Sequence, residues 1–167
     1  QIEGGAPADL FASASSREMD ELERKNLLVK GSRRAFARNR IVLIAPAGAK
    51  PVAADFRDLQ DAKVKLIAIG NPATVPAGKY AEEVLRSFDL WDAVREKLVF
   101  AENVRQVLDY TSRGEIDAGF VFMTDAMGAP GIQVAASAPI TSHSPAVYHA
   151  AVIAGARNSV RARSFME

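Results

Sequence analysis

The sequence predicts an α/β fold in which a mostly parallel sheet is flanked by helices. Two observations carry that expectation. Residues 40–45 and 66–69 are continuous runs rich in β-branched side chains, the signature of strands buried on both faces. Amphipathic helical segments alternate with such runs through short links, the pattern of βαβ units.

Taken in order, Gln1-Ile2-Glu3-Gly4-Gly5 reads as the last turn of a helix stopping at glycine, so the expectation is a piece of a longer protein. Residues 8–12 form a short apolar strand. Ser15 stands three residues before Glu18, the spacing of a capping box, and predicts a polar helix running to about Asn26. Residues 30–40 hold the densest basic cluster, with Arg33, Arg34, Arg38 and Arg40, and read as a solvated loop or turn. The strand at 40–45 ends at Pro46, and the strand at 66–69 stops at Gly70-Asn71-Pro72.

Pro76 then opens the best helix in the chain. Apolar residues at 77, 80, 81, 84, 85 and 88 make a stripe wide enough to pack on a sheet. Proline suits the first helical turn because its missing N–H would have had no partner there. Residues 97–100 read as a strand. The next helix carries Val104, Val107, Leu108 and Thr111 on one face and stops at Gly114. Residues 118–122 and 132–135 are two further strands.

Composition narrows the function. The 167 residues carry 21 basic and 20 acidic side chains, a formal net charge of +1. That balance argues against a nucleic-acid surface, which needs clustered Lys and Arg to meet phosphates. With no cysteine, disulfides, thiolate metal sites and cysteine nucleophiles are excluded. No apolar run reaches the roughly 20 residues of a membrane helix, and no signal-peptide pattern opens the chain.

In parallel α/β sheets ligands sit beyond the carboxyl ends of the strands, against helix amino termini. Two strand-to-helix junctions fit that place: residues 70–78, entering a helix at Pro76 or Ala77, and residues 100–104, entering one at about Val104. Each leaves backbone N–H groups unpaired at a positive helix end, and two such ends together would hold an anion with neutral donors. Every α/β protein has junctions of this kind, and most bind nothing. The phosphate-loop patterns GxxxxGK[ST] and GxGxxG are absent. His143 and His149 have no metal-site partners at the required spacing, Ser142 and Ser144 beside His143 make no triad, and no GxSxG elbow exists. A surface or hinge position is expected for the histidines. Glu82 and Glu83 fall on the polar side of the helix after Pro76 and read as a solvated face.

Specific strings go further. Gly5-Ala6-Pro7-Ala8-Asp9-Leu10-Phe11, then Gly70-Asn71-Pro72 followed by Val75-Pro76-Ala77-Gly78 and Tyr80-Ala81, then Ala101-Glu102-Asn103-Val104-Arg105, resemble the molybdate-binding periplasmic proteins of ABC transporters. Trp91-Asp92, Lys97-Leu98, Asp117-Ala118-Gly119 and Thr124-Asp125-Ala126 continue the resemblance, which covers nearly the whole chain. It implies a periplasmic binding protein-like fold, two α/β lobes that close on the ligand. One lobe would be complete, at 47–146, and the other incomplete, from 1–46 and 147–167. Within the latter, 147–153 resembles the strand returning to that lobe, and 157–167 begins a helix.

The resemblance implies a function that is not enzymatic: capture of molybdate, and of the similarly sized tungstate, for import. The dianion would be held by neutral groups, with no cofactor and no directly coordinated metal. Carried over by position, the backbone N–H groups of Ala77 and Val104 are donors. At Phe122 the family commonly has a tyrosine whose hydroxyl also donates, and losing such a donor costs on the order of 1.5–3 kcal/mol. Two serine loops of the family would precede Gln1, and Ser13 and Ser15 do not replace them. A membrane permease is the implied partner, the periplasm the implied location, nucleic acid is not expected, and a shortened chain could dimerise to cover exposed edges. Two other readings stay open: a receptor for another oxyanion such as sulfate, and an effector-sensing domain of a transcription factor.

Overall fold

The computed structural model describes residues 1–14, 16–48 and 50–166. The chain forms two compact units, one from Gln1–Arg38 with Ala146–Glu167, the other from Asn39–Pro145. The first boundary, expected after residue 46, therefore falls after residue 38. The reason is pairing: the run 41–46 is a strand of the second unit's sheet, hydrogen-bonded there on both sides.

The first unit holds β1 (Leu10–Ser13), α1 (Ser16–Arg24), β2 (Arg34–Asn39, its last residue past the boundary), β8 (Ala146–Val152) and α6 (Ser159–Phe165). Its sheet has the order β1–β8–β2, with Leu10 opposite Val152 and Ser13 opposite His149 in an antiparallel pair. Met19 and Leu22, three apart on α1, pack with Leu28, Ala151 and Ile153. The Asp9 carboxylate accepts the backbone N–H and the side-chain amide of Asn158 at 3.0 and 2.9 Å, just before α6. Those two hydrogen bonds hold its carboxyl below the usual value. Ile2–Gly4 is a short 3-10 turn closed by Gly5 at φ 79°, as the glycine stop implied. Ser15 lies outside the described residues; Glu18, its expected capping partner, accepts the Ser13 hydroxyl at 2.6 Å.

The basic segment corrects the reading. Residues 34–39, expected as loop or turn, form the edge strand β2 beside β8. They are exposed as predicted, nearly all along the strand. An edge strand takes its hydrogen bonds from one neighbour and tolerates charge on its faces, so side-chain polarity does not decide against it. Arg33 leads into it, bridging Asp20 at 2.6 Å and Glu23 at 2.9 Å on α1.

The second unit holds β3 (Ile41–Pro46), β4 (Ile67–Gly70), α2 (Pro76–Ser87), α3 (Trp91–Val94), β5 (Leu98–Ala101), α4 (Val104–Ser112), β6 (Ala118–Phe122), α5 (Met123–Ala126) and β7 (Ile132–Ser137). The sheet order is β5–β4–β6–β3–β7. β4 runs parallel to β5 and β6, and β3 runs antiparallel to β6 and β7, so the sheet is mixed, with β3 alone reversed. Alternate residues of the central strands enter two separate cores, as burial on both faces requires. Ile41, Leu43, Ile67, Ile69 and Phe120 pack with Ala77, Ala81, Val84 and Leu85 of α2. Val42, Ile44, Ala68 and Val121 pack with Val107 of α4.

Two polar devices brace this unit. Lys97 donates from Nζ to the carbonyls of Leu59, Gln60 and Asp61 at 2.9, 3.1 and 2.8 Å, closing the end of the 3-10 turn Phe56–Gln60. Asp117 accepts the N–H groups of Lys65 and Leu66 at 2.6 and 3.0 Å, pinning the entry to β4.

Candidate oxyanion site

Because β4 runs parallel to both β5 and β6, the carboxyl ends of these three strands share one sheet edge. The chain leaves that edge into α2, α4 and α5 in turn. Ala77, Val104 and Phe122, read from three separate segments, therefore all stand at the exits of three adjacent strands.

The β4 exit is wound tightly. Asn71 donates its N–H to Ala101 O at 2.8 Å, and its own carbonyl accepts Thr74 and Val75 N–H at 3.1 and 2.8 Å. Its side-chain oxygen accepts Ala73 N–H at 3.0 Å. Val75 O then takes the N–H groups of Gly78 and Lys79. Pro76 has no N–H, and Val75 offers no side-chain cap. The Ala77 N–H is the first-turn donor left over, with no acceptor among the described residues. Ala77 itself is fully buried.

This helix start lies hard against its strand. A Cβ added at Gly78 would stand 1.9 Å from the Gly70 carbonyl oxygen, so only glycine lets α2 begin so close to the end of β4.

At the β5 exit, Asn103 caps α4 by accepting Gln106 N–H at 3.0 Å, and the Gln106 side chain returns to accept Glu102 N–H at 2.8 Å. Gln106 also donates to the Tyr110 hydroxyl at 2.7 Å. The N-x-x-Q spacing is a readable capping signal that the sequence reading passed over. Val104 N–H remains without an acceptor among the described residues. Two helix starts on neighbouring strands thus each present an unpaired donor at the positive end of a helix dipole.

The third exit is aromatic and partly ionisable. Phe122 meets Tyr80 edge-on, with ring centroids 5.8 Å apart and planes at 64°. Tyr80 stands three residues beyond Ala77, on the same face of α2. The Tyr80 ring also meets the His143 ring, with centroids 5.5 Å apart. In the first turn of α5, burial pushes the Asp125 carboxyl above the usual value, the Phe122 backbone opposing the shift, and its Oδ2 is shielded without a hydrogen-bond partner among the described residues.

Several expectations change here. His143 is half-buried, with Nδ1 2.7 Å from the Ser144 carbonyl and Nε2 shielded and without a partner among the described residues. Glu83, read as solvated, is half-buried and accepts the Ser144 N–H at 2.5 Å. Glu82, read as solvated too, is likewise half-buried and pairs with Arg86 at 2.8 Å. His149 lies on β8 of the first unit; burial, then the charge of Arg33, holds its imidazole below the usual value. A depression of about 440 Å³ opens beside α2, lined by Asn71, Pro72, Ala73, Glu82 and Phe100. None of the three expected site residues lines it. Among the described residues no group of three or more His, Cys, Asp or Glu could hold a metal ion.

Two open helix starts on one sheet edge, with aromatic rings beside them, are the kind of place where an α/β protein can hold an anion. The whole chain, residues 1–167, matches the bacterial extracellular solute-binding proteins and belongs to that family. It is similar to the molybdate-binding protein ModA of Haemophilus influenzae, 38% identical over 162 residues that cover 95% of this chain and 64% of that protein. A substrate-binding domain from Clostridium difficile, assigned to a molybdenum ABC transporter, superposes with a TM-score of 0.93 at 40% identity. That match covers 99% of this chain and 71% of the other. The periplasmic molybdate-binding protein of Azotobacter vinelandii superposes at 0.71 with 28% identity, over 99% of this chain and 73% of its own. These neighbours give the periplasmic binding protein-like fold expected from the sequence. The chain spans just under two thirds of the length of the Haemophilus relative.

Proposed function

We propose that this chain belongs to an extracytoplasmic receptor that captures molybdate for an ABC importer, with the N–H groups of Ala77 and Val104 donating to the oxyanion. One observation carries the reading: two unpaired helix-start donors stand at adjacent strand ends, in a chain similar to proteins named as molybdate-binding. A tetrahedral dianion leaving water must find hydrogen bonds for its oxygens, and backbone N–H groups at helix starts supply them without a counter-charge. The helix dipoles spread the compensating positive potential. Tungstate, a tetrahedral dianion of nearly the same size, fits the same donors. The receptor performs no chemistry on its ligand; its partner is the membrane permease, and its place the periplasm or outer face of the membrane.

Phe122 favours a second reading, a receptor for another oxyanion such as sulfate, because it lacks the tyrosine hydroxyl that the molybdate resemblance implies. Calorimetric titration of molybdate, tungstate and sulfate into the full-length protein separates the two. Molybdate and tungstate binding alike, with sulfate at least a hundredfold weaker, is the expected result. Preference for sulfate overturns the proposal.

A further inference from the structure

The three-stranded sheet of the first unit separates charge by face. On β8, Ala151 packs with Met19 and Leu22 of α1, so Tyr148, three positions earlier, points to the opposite side. Phe36 of β2 meets Tyr148 there, with ring centroids 6.2 Å apart. Arg34 and Arg38 share that face with Phe36 by the two-residue period of a strand. The acidic side chains of α1 are engaged on the other face, where Asp20 and Glu23 hold Arg33 and Glu18 accepts the Ser13 hydroxyl. Arg34 and Arg38 form no ion pair among the described residues. The carbonyls of Gly31 and Arg33 accept from Arg34 at 3.0 and 3.1 Å and fix one arm of its guanidinium.

β2 is also an edge. Its one neighbour in the sheet is β8, and its outer N–H and C=O groups meet no backbone partner among the described residues. Charge on an edge strand commonly keeps other chains away. That purpose does not explain a phenylalanine set between the two charges and 60% exposed. A second copy of this chain fits badly, because β2 laid against β2 sets arginine opposite arginine. Lipid headgroups would answer the two charges and leave the outer backbone groups unpaired. An extended acidic segment answers all three features, with main-chain pairing along the edge, an ion pair at each end and apolar contact in the middle.

We propose that β2 is a docking site for an extended acidic segment of a partner protein. The segment adds as a further strand, with carboxylates opposite Arg34 and Arg38 and an apolar side chain opposite Phe36. Its two carboxylates stand four residues apart, about 13 Å along a chain that rises about 3.3 Å per residue. Docking here does not depend on which ligand the second unit holds.

The probe is the peptide acetyl-Thr-Glu-Thr-Val-Thr-Glu-Thr-amide, whose glutamates and valine share one face of a strand. Titrated into isotope-labelled full-length protein, it should bind saturably, shift the backbone amides of residues 34–38 in NMR spectra and slow their hydrogen exchange. Arg34→Glu combined with Arg38→Glu should weaken binding at least about tenfold, and the same double variant should bind the peptide that carries lysine in place of both glutamates. Thermal unfolding checks that the variant is folded, and Phe36→Ser, expected to weaken binding while leaving both charges, replaces it if it is not. Absence of saturable binding to the wild type at millimolar peptide overturns the proposal, as do amide shifts that miss β2. Sedimentation of the wild type with phosphatidylglycerol vesicles, lost in the double variant and unaccompanied by peptide binding, would assign the stripe to a lipid surface and equally overturn it.

Discussion

Gly78→Ala is the substitution whose outcome bears most directly on the geometry of the site. Within a helix, replacing glycine by alanine normally stabilises by about 0.5–1 kcal/mol, because glycine loses more backbone freedom on folding. Here the added methyl would stand 1.9 Å from the Gly70 oxygen, 2.4 Å from its carbonyl carbon and 3.0 Å from its Cα. All three are backbone atoms of the exit from β4, so no side chain can swing aside. Relief requires α2 to move off β4 by about an ångström, against a core formed by Ala77, Ala81, Val84 and Leu85. Overpacking of this kind costs about 1–3 kcal/mol, and rigid atoms on both sides place it at the upper end. After the helix-propensity gain, a net loss of about 2 kcal/mol remains, a fall in Tm of about 4–8 °C for a chain of this size. The same displacement carries the Ala77 N–H with it. A donor moved by that much leaves hydrogen-bonding range, so molybdate affinity should fall at least about tenfold. Thermal unfolding by circular dichroism and a molybdate titration on the same variant read both effects. A Tm equal to or above wild type would refute the reasoning, since helix propensity would then have won and the close approach of α2 to β4 would not exist.

Three further substitutions test other parts of the structure. Asp125→Asn keeps the size and shape of the side chain and removes a carboxyl group that burial pushes up. Because the folded-state value lies above the unfolded 3.8, wild-type stability from this group is full below about pH 4 and is lost as pH rises through the folded value. The variant should therefore be more stable than wild type near neutrality and equal to it at low pH; identical pH profiles in urea unfolding would sink the argument. Lys97→Met retains the apolar stem and deletes the three bonds to Leu59, Gln60 and Asp61 carbonyls, an expected loss of about 2 kcal/mol by the same unfolding measurement, with Arg partly restoring it. An undiminished midpoint would show that water serves those carbonyls equally well. Phe122→Tyr adds the missing hydroxyl and should tighten molybdate binding tenfold or more; unchanged affinity means that this ring edge does not face the anion.

What the sequence could and could not reveal divides along the distance over which each feature is determined. β3 and β4 were legible because burial on both faces demands unbroken apolar runs, and Ile41, Val42, Leu43 and Ile44 all carry that demand themselves. β2 was not legible: its residues are exposed, and what makes it a strand is its place beside β8, more than a hundred residues away. The misplaced unit boundary has the same origin. Pro46 looked like an end, yet it pairs with Ile132 inside the sheet, whereas no proline or glycine marks the true break after Arg38. The candidate site splits likewise. The donors at Ala77 and Val104 follow from Pro76, Gly78 and the residues around Asn103, all within a turn of the group they leave unpaired. The aromatic and ionisable side of the same edge joins residues far apart, Tyr80 with Phe122 and Glu83 with Ser144, and no local pattern announces such meetings. A helix start shows that an anion can be held. On the proposed reading, the side chains assembled around it by the tertiary fold, Phe122 first among them, set which anion is held, so a strong resemblance at the helix starts constrains selectivity far less than it constrains the manner of binding.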